Sequence, residues 1–168
     1  MRKSTVLIRI AIGLLLIPAA AAVWLLLHTM DPAREFEVGE ASNESRVLIA
    51  TQGSKYKDAL VSEIVDHLAL RRAYTKVIDV SHLSGINADG WNAVVILHTW
   101  QIGKPQPDAK AFVERIGDPK KLIVVTTSGS GEEKLPAVDA ISSASSIEDM
   151  KAQASQVEAR LDAALATR

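Results

Sequence analysis

The sequence predicts an α/β domain built on a parallel five-stranded sheet and carried behind one membrane-spanning helix. Three observations lead there. From residue 46 onward, short branched apolar runs alternate with amphipathic stretches, the pattern of parallel strands joined by right-handed crossovers. Residues 10–27 form an unbroken run of 18 uncharged residues. Between the two regions lies an acidic stretch containing Pro32 and Gly39. The organisation expected is a membrane anchor over 1–30, a poorly structured acidic tether over 31–45, and the α/β domain over 46–168.

The uncharged run is long enough as a helix, about 27 Å, to cross most of a hydrocarbon core of about 30 Å. Val6, Leu7 and Ile8 extend it, so residues 6–28 are expected to contact the lipid bilayer, with Arg9 snorkelling and Trp24 at the interface. Pro18 kinks such a helix without excluding it. The alternative is a signal peptide cleaved near Ala20, Ala21 and Ala22, which would leave a strongly apolar new terminus at Val23. Arg2, Lys3 and Arg9 precede the run and no acidic residue does, which places the N-terminus in the cytoplasm and residues 31–168 outside it.

In the domain, "RVLIA" (46–50) reads as a strand buried on both faces. Leu60, Val61, Ile64, Val65 and Leu68 recur at helical spacing, predicting a helix over about 56–71. "TKVIDV" (75–80) is a second strand, and the turn-rich "SHLSGINADG" after it is too short for an ordinary helix. "NAVVILH" (92–98) is the third and most hydrophobic strand. Pro105 and Pro107 open a helix that stops at Gly117-Asp118-Pro119. "KLIVVTT" (121–127) is a fourth strand, followed by the loop "SGSGEE", and "AVDAIS" (137–142) is a weaker fifth. Ser146 and Asp149 form a capping box for a last helix whose apolar stripe is Ile147, Met150, Ala154, Val157, Leu161 and Leu165. Strands one, three and four belong in the middle of the sheet. Ligands of such sheets bind beyond the carboxyl ends of the strands where strand order reverses, here among the loops "TQGSKYK", "HTWQIGKPQ" and "TSGSGEE".

Composition excludes several classes. There is no cysteine, so disulfides, zinc–thiolate sites and thiol chemistry are absent. Residues 31–45 hold five acidic residues against Arg34, and residues 46–168 hold fifteen of each sign. Without a basic excess or cluster, no nucleic-acid partner is expected. No nucleophile–base–acid arrangement is legible, so no catalytic residue is assigned. His82 and His98 follow strands two and three, but a pair is too few ligands for a metal site. An aspartate ending strand three, needed by a phospho-acceptor domain, is replaced by His98.

The order of elements over 46–168 resembles flavodoxin-like domains. The most specific stretch is "WNAVVILHTWQIGKPQPDAKAFVERI", similar to that family's third strand, flavin-side loop and following helix. "KKLIVVTTSGSG" is similar to its fourth strand and loop. The resemblance implies strand order 2-1-3-4-5; this chain departs from the family in having its second and fourth helices shortened or absent. It also implies FMN at the switch point, its phosphate held by a threonine-rich first loop and its ring stacked on an aromatic of the loop after strand three. Carried onto this chain, the cofactor-binding positions are Thr51, Gly53, Ser54, Lys55, Thr99, Trp100, Gly103, Ser128 and Gly129. The first loop departs from the family pattern. Two hydroxyls remain, while Lys55, Tyr56 and Lys57 stand where small polar residues belong. Trp100 has a second reading as a plug over the sheet edge, and Trp91 reads as core. Two functions stay open: a membrane-anchored FMN protein in electron transfer with a redox partner, or a flavin-free interaction module or accessory subunit in a membrane-bound complex.

Overall fold

The structure is a computed structural model that describes residues 14–23, 30–136 and 138–166. The chain divides into two compact units, Met1–Met30 and Asp31–Arg168. In the first, residues 14–23 are helical and exposed. Among the described residues no helix is long and apolar enough to cross a membrane. The remainder of the expected span, including Arg9 and Trp24, lies outside the described residues.

The second unit is a mixed α/β fold. Its strands are β1 (Phe36–Val38), β2 (Arg46–Thr51), β3 (Tyr74–Asp79), β4 (Ala93–Thr99), β5 (Leu122–Thr127) and β6 (Ile141–Ser143). Its helices are α1 (Lys55–Leu70), α2 (Pro107–Arg115) and α3 (Met150–Ala166). The sheet has six strands in the order β1-β3-β2-β4-β5-β6, parallel except for β1, which runs antiparallel to β3. Both count and order therefore differ from the five-stranded, all-parallel expectation. The difference is the added edge strand. β1 comes from the stretch expected to be a loose tether, and Glu37 lies opposite Lys76 in the register with a 2.8 Å ion pair.

Strand alternation builds two cores. Val47, Ile49, Val95 and Leu97 face one side of the sheet, where α1 and α3 cover them with Leu60, Ile64, Leu68, Val157 and Leu161. Leu48, Ala50, Val94 and Ile96 face the other, covered by Phe112 and Val113 of α2, by Leu83 and by Trp91. Trp91 stacks on Tyr74 at 6.0 Å with the Arg46 guanidinium over both rings. His67 of α1 bridges the helices, its Nε2 3.0 Å from Asp162 of α3.

The crossover from β3 to β4 is made of two short 3₁₀ turns, Val80–Gly85 and Ala88–Gly90. The described residues between β5 and β6 contain no helix. β6 is shorter than the expected strand over 137–142, because Asp139 turns out to meet Arg160 of α3 at 2.8 Å. The last helix starts at Met150 rather than at the Ser146 box, so Ile147 stays exposed instead of joining the apolar stripe.

Candidate functional site

The carboxyl ends of β2, β4 and β5 lie side by side, and their loops meet there. Thr51 ends β2 and is buried. Thr99 ends β4 opposite Thr127 of β5, and its amide donates to Oε1 of Gln52 at 2.7 Å, joining the first two loops. Trp100, half-buried, is held by its backbone N–H on the Thr127 carbonyl at 2.7 Å. Ser128 is buried, with its N–H on the Ser143 carbonyl of β6 and its Oγ accepting from the Gly131 amide. Thr51, Gly53, Ser54, Thr99, Trp100 and Ser128 are thus brought to one edge. Lys55 and Gly129 point into solvent there, and Gly103 sits at the tip of a turn.

The first loop is closed by the chain itself. Residues 31–35 cross the end of β2 as a strap: the Gly53 N–H donates to the Asp31 carbonyl at 2.7 Å, in an isolated antiparallel bridge. A Cβ on Gly53 would lie 2.6 Å from the Pro32 carbonyl oxygen and 2.9 Å from that of Asp31. Ser54 caps α1, its Oγ accepting from the Lys57 amide. Two groups that a phosphate would need at this helix start are therefore already engaged internally. The strap continues through Ala33, whose N–H reaches Asp79 Oδ2 at 2.7 Å, and Glu35, which accepts from the Asp79 amide and meets His82 Nδ1 at 2.6 Å. The Asp79 amide, ahead of a desolvation that acts the other way, holds the Glu35 carboxyl below its ordinary value. At Asp79 burial pushes upward, and hydrogen bonds from Ser81 and Ala33 outweigh it.

Beneath the strap edge lies a polar chain that sequence reading placed only loosely. Lys57 is 1 % exposed, and its Nζ donates to Thr99 Oγ1 at 2.5 Å. Thr99 Oγ1 lies 2.9 Å from Thr127 Oγ1, which donates to the His98 carbonyl. Among the described residues no carboxylate lies within ion-pair distance of Nζ. Burial lowers the Lys57 amine to about 8, only partly opposed by Asp58. His98 is fully buried, with Nε2 2.9 Å from Thr126 Oγ1 and no partner for Nδ1. Burial lowers it to about 4, so it is neutral. His82 is exposed on Glu35. The described residues contain no group of three or more His, Cys, Asp or Glu arranged to hold a metal ion.

Helical spacing is the signal that places Lys57, since it precedes Leu60, Val61 and Ile64 by three, four and seven positions on the buried stripe of α1. Tyr56 shares that fate: its ring is buried and its hydroxyl accepts from Ser143 Oγ at 3.0 Å. Of the three residues that break the family's first-loop pattern, Tyr56 and Lys57 are thus core and bracing groups, while Lys55 faces solvent.

The loop after β4 contains a strained turn. Gln101 and Lys104 exchange backbone hydrogen bonds of 2.8 and 3.0 Å around Ile102 and Gly103, whose φ angles are +52° and +68°. Both central φ angles are positive, as in the hairpin turn that favours Asn-Gly. A β-branched residue there costs about 1–2 kcal/mol, and Ile102 is 67 % exposed. Ile102→Asn is therefore expected to stabilise the protein by about 1 kcal/mol, read as a shifted urea midpoint in detergent; an unchanged or lowered midpoint refutes the strain. A search of protein-family models returns no match, and a search of curated proteins returns none either.

Proposed function

We propose that the chain is a membrane-anchored, flavin-free relative of the flavodoxin fold that serves as an interaction module or accessory subunit of a membrane-bound complex. The observation that carries this reading is the closed first loop, where the Gly53 amide is given to Asp31 and the space over Gly53 is filled by Pro32. A phosphate held there would have to displace the strap. The buried Lys57 supports the same reading, because its amine braces Thr99 rather than facing a ligand. Residues 6–28 supply the anchor in this proposal, with the N-terminus cytoplasmic and the domain outside; a phosphatase fused at the C-terminus would be active outside the cytoplasm.

A second reading keeps FMN and electron transfer. It is favoured by Trp100, half-exposed at the right edge, and by Gly129, around which a Cβ would meet nothing within 4 Å. An absorbance spectrum and an FMN titration of the detergent-purified full chain decide between the two. The expected result is a colourless protein that leaves added FMN fluorescence unquenched. A flavin band at near-stoichiometric amounts overturns the proposal and installs the second reading.

A further inference from the structure

We propose that the cavity between α1 and β1 binds a free α-amino acid with an apolar side chain, its carboxylate on Arg34 and its ammonium on Asp58. The cavity, about 370 Å³, lies within the Asp31–Arg168 unit on the β1 side of the sheet, and no residue of the loops after β4 and β5 lines it. Its origin is the added edge strand. Phe36 sits opposite Val77 in the β1–β3 register, and residues so paired share a face of the sheet. That face is the one α1 covers, yet Phe36 is 36 % exposed. The helix packs on β3 and leaves a gap over β1. Phe36, Val61, Val65 and Val77 form the apolar wall of that gap.

Two charges of opposite sign stand in the same lining, Arg34 from the strap and Asp58 from the first turn of α1. Both are exposed, and among the described residues neither side chain makes a hydrogen bond or an ion pair. A guanidinium holds a carboxylate through two parallel N–H donors, and a carboxylate accepts from an ammonium. A ligand carrying both charges answers both groups, whereas a singly charged one leaves the other group without a partner. Ser62 adds a hydroxyl, while that of Thr51 is turned to the Gln52 carbonyl. Small-molecule sites are commonly pockets of about 300–1,000 Å³ with apolar walls and a few polar groups. At about 30 Å³ for each water-sized group, this one holds roughly a dozen heavy atoms, enough for phenylalanine or leucine and too few for a dipeptide of them. A larger cavity beside α3, about 560 Å³, offers no such pair, because its one carboxylate, Asp139, is already bonded to Arg160.

The test is equilibrium dialysis of radiolabelled phenylalanine against the detergent-purified full chain. Saturable binding of one phenylalanine per chain is expected, with leucine competing. Phenylalaninamide, which lacks the carboxylate, and phenylpropionate, which lacks the ammonium, should each compete about tenfold more weakly. Arg34→Gln and Asp58→Asn, both at exposed positions, should weaken binding to a similar extent, while Lys104→Gln leaves it unchanged. Bound phenylalanine should also slow trypsin cleavage after Arg34 severalfold. Binding that ignores the loss of either ligand charge would make the cavity an apolar pocket without charge recognition and overturn the proposal. Tighter binding of phenylalanyl-phenylalanine would make the occupant a peptide, and overturns it as well. So does the absence of saturable binding of phenylalanine, leucine and valine up to about 10 mM.

Discussion

Replacing Lys57 with methionine is expected to stabilise the protein at neutral pH by on the order of 2 kcal/mol. Methionine keeps the unbranched stem within the buried stripe of α1 and removes an amine whose burial lowers it to about 8. Against that gain stands the lost hydrogen bond to Thr99, roughly 1 kcal/mol, and Thr99 keeps its contact with Thr127. The pH dependence follows from the same shift. Between about 8 and the unfolded value of 10.5 the unfolded chain binds the proton and the folded chain does not. Stability contributed by this group therefore rises with pH across that window, by roughly 3 kcal/mol at full span. Below 8 both states are protonated and the penalty is constant. Buried Tyr56 has its hydroxyl raised, chiefly by burial. It therefore opposes the trend near and above pH 10, and urea unfolding is best compared between pH 7 and 9.5. The parent should gain stability on Lys57→Met at pH 7, with the difference narrowing toward pH 9.5. A variant less stable than the parent at pH 7, with a pH-independent difference, would mean that the amine is a net stabilising group.

Gly53→Ala is expected to lift the strap from the end of β2. The added Cβ would meet two backbone oxygens, at 2.6 and 2.9 Å, and neither belongs to a flexible side chain that can turn away. Either the strap moves or β2 does, and β2 is fixed by β3 on one side and β4 on the other. The expected loss is about 1–3 kcal/mol. Release should also free the backbone around the exposed Arg34 for trypsin, since the hydrogen bonds from the Ala33 amide to Asp79 and from the Asp79 amide to Glu35 hold that segment in place. Cleavage after Arg34 several times faster than in the parent, with the sheet still folded, is the expected outcome. Unchanged cleavage and an unchanged urea midpoint would show that the strap is not clamped at Gly53.

Much of the domain is legible in residue order because its signals are local. Branched apolar runs mark β2, β4 and β5, and the stripe Leu60, Ile64 and Leu68 marks α1. The missing crossover helices are legible too, since ten turn-forming residues after β3 leave no room for one. β1 is not legible. Three residues, Phe36–Val38, with Glu35 before them and Glu37 among them, carry no strand signal of their own. They pair only because β3 offers a free edge with Lys76 facing Glu37.

The edge of the sheet divides in the same way. That Thr51, Gly53, Thr99, Trp100 and Ser128 converge follows from chain order, because parallel strands deliver the loops that follow them to a common end. Which groups remain open there was decided only by the tertiary structure. Gly53 falls, by the resemblance, in a loop for a phosphate, and what lies against it is the chain's own residues 31–32. Lys57 stands in sequence where a small polar residue of that loop belongs, and packing turns it inward to Thr99. Sequence determines such matters only where the interaction is near in the chain or repeats with a period. The strap on Gly53 and the amine on Thr99 join residues about 20 and 42 positions apart, and only the folded chain sets them side by side.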